Sequence, residues 1–152
     1  MSVDPNGVWA IPSLEGNLVF DVEGGAASPG THVIVWPRQD SPNQRWQFKL
    51  AQPGWWTLHS LLDPRLLLSI DLAAFPNGPI VVDYERADRK GQLWCLIPTR
   101  ERGYWYLQSA DQTNLVVAAP DDAPAKGVGL LTTQRSYDVI APQAWGFSPS
   151  SA

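Results

Sequence analysis

Residues 43–48 read NQRWQF, residues 91–96 read GQLWCL and residues 142–147 read PQAWGF. Each holds Gln-x-Trp, and the three glutamines, Gln44, Gln92 and Gln143, stand 48 and 51 residues apart. Two further trios keep the same rhythm. GVWAI, GWWTL and GYWYL begin at Gly7, Gly54 and Gly103, and NLVFDV, RLLLSI and NLVVAA begin at Asn17, Arg65 and Asn114. Three markers in one order, three times over, make an internal repeat with units at 7–50, 54–98 and 103–149.

Between the markers the chain is all-β in character. Its 14 prolines and 12 glycines break it into short segments rich in Val, Leu, Ile, Trp and Tyr, and several of these alternate with a period of two. GYWYLQS, for example, sets Trp105 and Leu107 against Tyr104, Tyr106 and Gln108. A length of 152 residues suits one domain, and 44% hydrophobic against 17% charged residues provides for a packed core. The net charge of −4, without a Lys/Arg cluster, argues against binding nucleic acid or an anionic membrane. RLLLSIDLAAF (residues 65–75) is too short and too interrupted to cross a bilayer. The single cysteine, Cys95, excludes an internal disulfide and a cysteine zinc site. MSVDPNGVWA lacks the basic and apolar stretches of a signal peptide, so the expectation is a cytoplasmic protein, released if at all by a non-classical route.

Gln-x-Trp near the end of each of three short-strand repeats resembles the ricin-B-type (R-type) β-trefoil lectins, and the resemblance covers essentially residues 1–152. It implies one domain with four strands per repeat, whose two-stranded hairpins form a closed barrel capped by a hairpin triplet. Closure leaves short apolar strands without free edges. On this reading Trp46, Trp94 and Trp145 belong to the core, as do Trp9, Trp56 and Trp105. Each motif glutamine satisfies its buried amide by bracing a neighbouring loop. The opening motif therefore reports the fold and leaves the function to other residues.

Two tryptophans remain, Trp36 and Trp55. In THVIVWPRQDSPNQRW (residues 31–46), Val33 and Val35 take the inward phase, and His32, Ile34 and Trp36 the outward one. An outward indole offers a flat face to the apolar C–H side of a pyranose. Asp21 lies on the outward phase of NLVFDV and can accept hydrogen bonds from adjacent hydroxyls, while Asn43 can both donate and accept. The resemblance implies a sugar site built from Asp21, Trp36, Asn43 and Gln44, with glycans of galactose or N-acetylgalactosamine type as partners. Ile34 departs from the polar residue that many members place there, which bears on sugar preference. Asp71, Tyr84 and Gln92 form a second candidate set, with Ser69 competing for the acid position and Gly91 in place of Asn43. Repeat three has Ala118, Thr133 and Pro142 at the binding positions and reads as inactive.

The other conspicuous residues read as structural. Trp55 and its counterparts Tyr104 and Tyr106 either pack at the barrel mouth or present an aromatic patch, for instance to a homodimer partner. His32 and His59 read as exposed and without metal-ligand companions, Asp121 and Asp122 as loop decoration, and Cys95 as an inert, partly buried thiol. Catalytic motifs are missing, and the expectation is a non-enzymatic protein without cofactor or metal. The alternative is a protease inhibitor acting through AQPGWW (51–56) or PDDAPAKG (120–127); an enzyme acting on glycans is the weaker third reading. The resemblance to cytoplasmic fungal lectins implies a defence role.

Overall fold

The computed structural model of the chain describes residues 7–15, 17–112, 114–121 and 124–150; Asp122 lies outside them. Among the described residues twelve short strands alternate with turns and 3-10 segments. Repeat one holds β1 (Trp9–Ala10), β2 (Leu18–Val22), β3 (Val33–Pro37) and β4 (Trp46–Gln52). Repeat two holds β5 (Trp55–Ser60), β6 (Leu66–Ile70), β7 (Ile80–Tyr84) and β8 (Trp94–Pro98). Repeat three holds β9 (Trp105–Ser109), β10 (Leu115–Ala118), β11 (Leu131–Gln134) and β12 (Ser148–Pro149).

The first and last strands of the repeats make the barrel. β4 pairs with β5, β8 with β9 and β12 with β1, while β1–β4 and β5–β8 pairing and a Trp105–Trp145 bridge close the ring. The second and third strands pair as hairpins β2–β3, β6–β7 and β10–β11. Bridges His32–Val81, Ile34–Gly129 and Pro79–Leu131 tie these three hairpins into a cap. The fold is a β-trefoil.

The two tryptophan trios are one device. Trp9 lies opposite Trp46, Trp56 opposite Trp94 and Trp105 opposite Trp145 across the strand pairs. The motif indoles are fully buried, and each donates to a carbonyl of its own repeat: Trp46 to Phe20 (3.4 Å), Trp94 to Leu68 (3.1 Å) and Trp145 to Val117 (2.9 Å). Phe20 meets Trp145 edge-on, ring centroids 4.7 Å apart. The partner trio is only half-buried: Trp9 and Trp56 pack against the core from outside it, and Trp105 is not part of it.

The strand phases follow the alternation: Phe20, Val22, Val33 and Val35 enter the main core. The opposite phase is buried as well, which alternation does not reveal. Val19, Asp21 and Ile34 are covered by the turns and hairpins packed against them. Tyr106 is buried in a second, smaller apolar cluster and donates its hydroxyl to the Ser136 carbonyl at 2.8 Å, while Trp55 and Tyr104 are half-buried. His59 is buried too, contrary to its expected exposure. The Pro64 carbonyl can only accept, so Nδ1 donates to it (2.8 Å) and Nε2 accepts from the Thr57 hydroxyl (2.9 Å). Burial lowers the pKa of His59 and keeps the ring neutral.

Candidate functional site

The motif glutamines act as the sequence suggests. Gln44 Oε1 accepts the Gln39 N–H (2.7 Å) and its Nε2 donates to the Pro37 carbonyl (3.0 Å). Gln92 holds Arg86 N–H and Tyr84 C=O, and Gln143 holds Ser136 N–H and Gln134 C=O, all at 2.8 Å or less. Each amide pins the segment leaving the third strand of its repeat. The three pinned segments also fix which residues correspond between repeats: Pro37 to Tyr84 and Gln134, and Trp36 to Asp83 and Thr133.

Among the described residues, only in repeat one does the remaining amide N–H reach a carboxylate. Gln44 Nε2 donates to Asp21 Oδ2 at 2.9 Å, and Asn43 Nδ2 donates to Asp21 Oδ1 at 3.1 Å. Asn43 is itself set by the Val22 carbonyl (3.2 Å) and the Ser41 hydroxyl (2.6 Å), on the 3-10 turn Pro42–Gln44. Asp21, Trp36 and Asn43 line one concavity of about 430 Å³, together with Glu23, Ile34 and Gln39. Gln44 is fully buried behind Asp21 and does not line it. Ile34, paired directly with Asp21 across β2–β3, contributes an apolar wall.

Two features of this concavity were not legible beforehand. Burial raises the pKa of Asp21 despite its two amide donors, and the charge of nearby Glu23 adds to the rise. The Lys126 ammonium stands 4.5 Å from the centre of the Trp36 ring without lining the concavity, so repeat three helps hold the indole. A polar loop between β10 and β11 carries no pattern that announces this contact.

The second candidate set does not assemble. Asp71 caps the 3-10 turn Leu72–Ala74, accepting the Ala73 N–H at 3.1 Å. Gln92 is buried and donates to Ser69 Oγ (3.0 Å), so Ser69 holds the place of Asp21. Asp83 holds the place of Trp36, and Tyr84 lines a separate concavity that includes neither Asp71 nor Gln92. The space above Gly91 is taken by Arg86. Its Nη1 donates to the carbonyls of Ile70 (3.1 Å) and Lys90 (2.6 Å) and its Nη2 to Asp83 Oδ2 (2.9 Å). In repeat three Ala118 and Pro142 are buried, and among the described residues Gln143 bonds to the Ser136 N–H and the Gln134 carbonyl and to no carboxylate.

Among the described residues no group of His, Cys, Asp and Glu could hold a metal ion, and no helix is long and apolar enough to cross a membrane. Cys95 is half-buried and burial pushes its thiol pKa up, away from nucleophilic character. Within AQPGWW, Pro53 and Gly54 (φ +83°) form the tight connection between β4 and β5, and the flanking residues belong to those strands.

Residues 2–83 match the family described as ricin-type beta-trefoil lectin domain-like. The chain belongs to that family. Flavastacin, from Elizabethkingia meningoseptica, is 28% identical over 102 residues, which is 66% of this chain and 23% of that protein. The chain thus spans about a quarter of the length of that curated relative. Among solved structures, the designed threefold-symmetric protein ThreeFoil superposes with a TM-score of 0.81 at 19% identity, covering 93% of this chain and 98% of that one. The Macrolepiota procera ricin B-like lectin in complex with lactose superposes with a TM-score of 0.79 at 16% identity, covering 98% and 99%. At such identities these likenesses establish the trefoil. The family assignment makes the chain a ricin-type, lectin-like domain.

Proposed function

We propose that the chain binds a galactose-type sugar through repeat one, without catalysis, and that the concavity around Asp21 and Trp36 is the site. The observation that carries this reading is the convergence of a carboxylate, an indole and a carboxamide on one concavity in the one repeat that has all three. The Trp36 ring takes the apolar face of the pyranose. Asp21 has each oxygen held from behind by an amide donor, which leaves its outer lone pairs for adjacent sugar hydroxyls. Asn43 touches the same hydroxyls, and Gln44 acts through Asp21 as a positioning residue.

The two acids in the concavity, Asp21 and Glu23, favour a neutral ligand with hydroxyl donors over an anionic one. The lactose held by the Macrolepiota procera lectin supports a galactoside, and glycans carrying galactose or N-acetylgalactosamine are the expected partners. Calorimetric titration with lactose and with N-acetylgalactosamine tests the reading. Binding to one or both is expected, and Trp36→Ala and Asp21→Ala should each weaken it at least about tenfold, the worth of about 1.4 kcal/mol. Unchanged binding in both variants places the sugar elsewhere.

A further inference from the structure

The pseudo-threefold symmetry exposes a second concavity that the repeat-one site does not use. In repeats one and three the residue after the pinned position is an arginine that reaches across the surface. Arg38 donates to Ser148 Oγ (2.7 Å), and Arg135 donates to Gln108 Oε1 (2.7 Å) while lying 5.0 Å from the Tyr137 ring centre. Repeat two has Glu85 at that position, paired outward with Arg89 at 3.5 Å. The space that Arg135 spans in repeat three is therefore open in repeat two. It is a concavity of about 480 Å³ lined by His59, Pro64, Arg65, Leu67, Tyr84 and Glu85.

Its chemistry is that of a saccharide subsite. Tyr84 replaces the half-buried Pro37 of repeat one and is 43% exposed, so the core does not require its ring. Arg65, largely exposed, makes a two-pronged pair with Asp63 (3.1 and 2.8 Å), and its guanidinium stands 5.4 Å from the Tyr84 ring centre. The buried His59 forms a neutral wall with both nitrogens occupied. An aromatic face and apolar floor, with a carboxylate acceptor and guanidinium donors at the rim, match a pyranose. Both rim charges are already paired, Arg65 with Asp63 and Glu85 with Arg89, which favours a neutral sugar. The volume accommodates one or two rings.

We propose that this Tyr84 concavity is a second, independent subsite for a neutral pyranose, weaker than the first. The inference extends the carbohydrate-binding reading but does not depend on the repeat-one site. The full-length ¹⁵N-labelled chain is titrated with the methyl β-pyranosides of galactose, glucose and mannose, following amide and indole resonances. At least one sugar should move the Leu67 and Glu85 amides with its own dissociation constant. Those shifts should persist in Trp36→Ala and weaken at least about tenfold in Tyr84→Ala, whose fold is checked by an unchanged Trp46 indole N–H resonance. If none of the three sugars moves Leu67 and Glu85, or if Tyr84→Ala leaves their response intact, the subsite is refuted. A silent Trp36 indole beside moving Leu67 and Glu85 amides overturns the repeat-one proposal alone.

Discussion

At the scale of single residues, the proposed site depends on a carboxylate that burial makes reluctant to ionise. Asp21 accepts hydroxyls through both oxygens, and most strongly, as the anion, and its pKa lies above the usual carboxylate value. As pH falls toward that raised pKa the anion is lost, so lactose affinity should decline on acidification, starting above the pH at which an ordinary aspartate titrates. Asp21→Asn removes the titrating group and should give a flat profile at an affinity at least about tenfold below the neutral-pH plateau, consistent with about 1.5–3 kcal/mol for a charged hydrogen bond. Calorimetry from neutral to mildly acidic pH reads both; an unchanged pH dependence in Asp21→Asn assigns the titration to another group. The glutamines separate fold from site in the same way. Gln44→Ala and Gln143→Ala each leave a backbone N–H without its acceptor, at a cost of about 1–3 kcal/mol seen in urea unfolding. Only Gln44→Ala should also weaken lactose binding, since only Gln44 holds a carboxylate in place.

At the scale of strands and hairpins, the repeat was legible because three indoles must each fill the same kind of core position and donate to the same carbonyl. Trp94→Ala, in the repeat away from Asp21, should destabilise by about 3–5 kcal/mol. Trp56→Ala should cost clearly less, because Trp56 is half-buried at the barrel mouth. Denaturant midpoints at equal slope test the ordering, and a reversed order would mean that the mouth and not the interior carries the packing. The outward strand phase was misleading for a related reason. Period-two alternation reports only which face a residue takes, and the cap turns cover the second face after folding, burying Asp21, His59 and Tyr106. Repeat two failed by register. The β6–β7 connection, from Ile70 to its partner Ile80, is one residue shorter than that from Val22 to Val33. That slip places Asp83 and not Tyr84 opposite Leu67, in the position of Trp36 opposite Val19. Asp71 falls beyond the strand and caps a turn. Arg86 then fills the vacated space from a position where only its side-chain reach, unseen in the sequence, could indicate it.

At the scale of the whole molecule, three equivalent frames carry unequal surfaces, and the inequality decides valency. Repeat one keeps a carboxylate beside an indole, repeat two closes that place with Arg86 and opens the Tyr84 concavity, and repeat three offers Ala118 and Thr133. A chain stripped of the second concavity by Tyr84→Ala should then grip a galactoside-coated surface through one shallow site, with rapid release. Joining two such chains through a flexible linker turns the second contact into an intramolecular one, which is worth about 10²–10⁴ in apparent affinity without any new contact. Surface plasmon resonance of the tandem Tyr84→Ala protein should show that gain as slower dissociation, and Trp36→Ala in both copies should remove binding altogether. A single Tyr84→Ala chain that already dissociates as slowly as its tandem form would mean that the chain self-associates or carries a further site. Size-exclusion chromatography with light scattering at the same concentration would then distinguish the two.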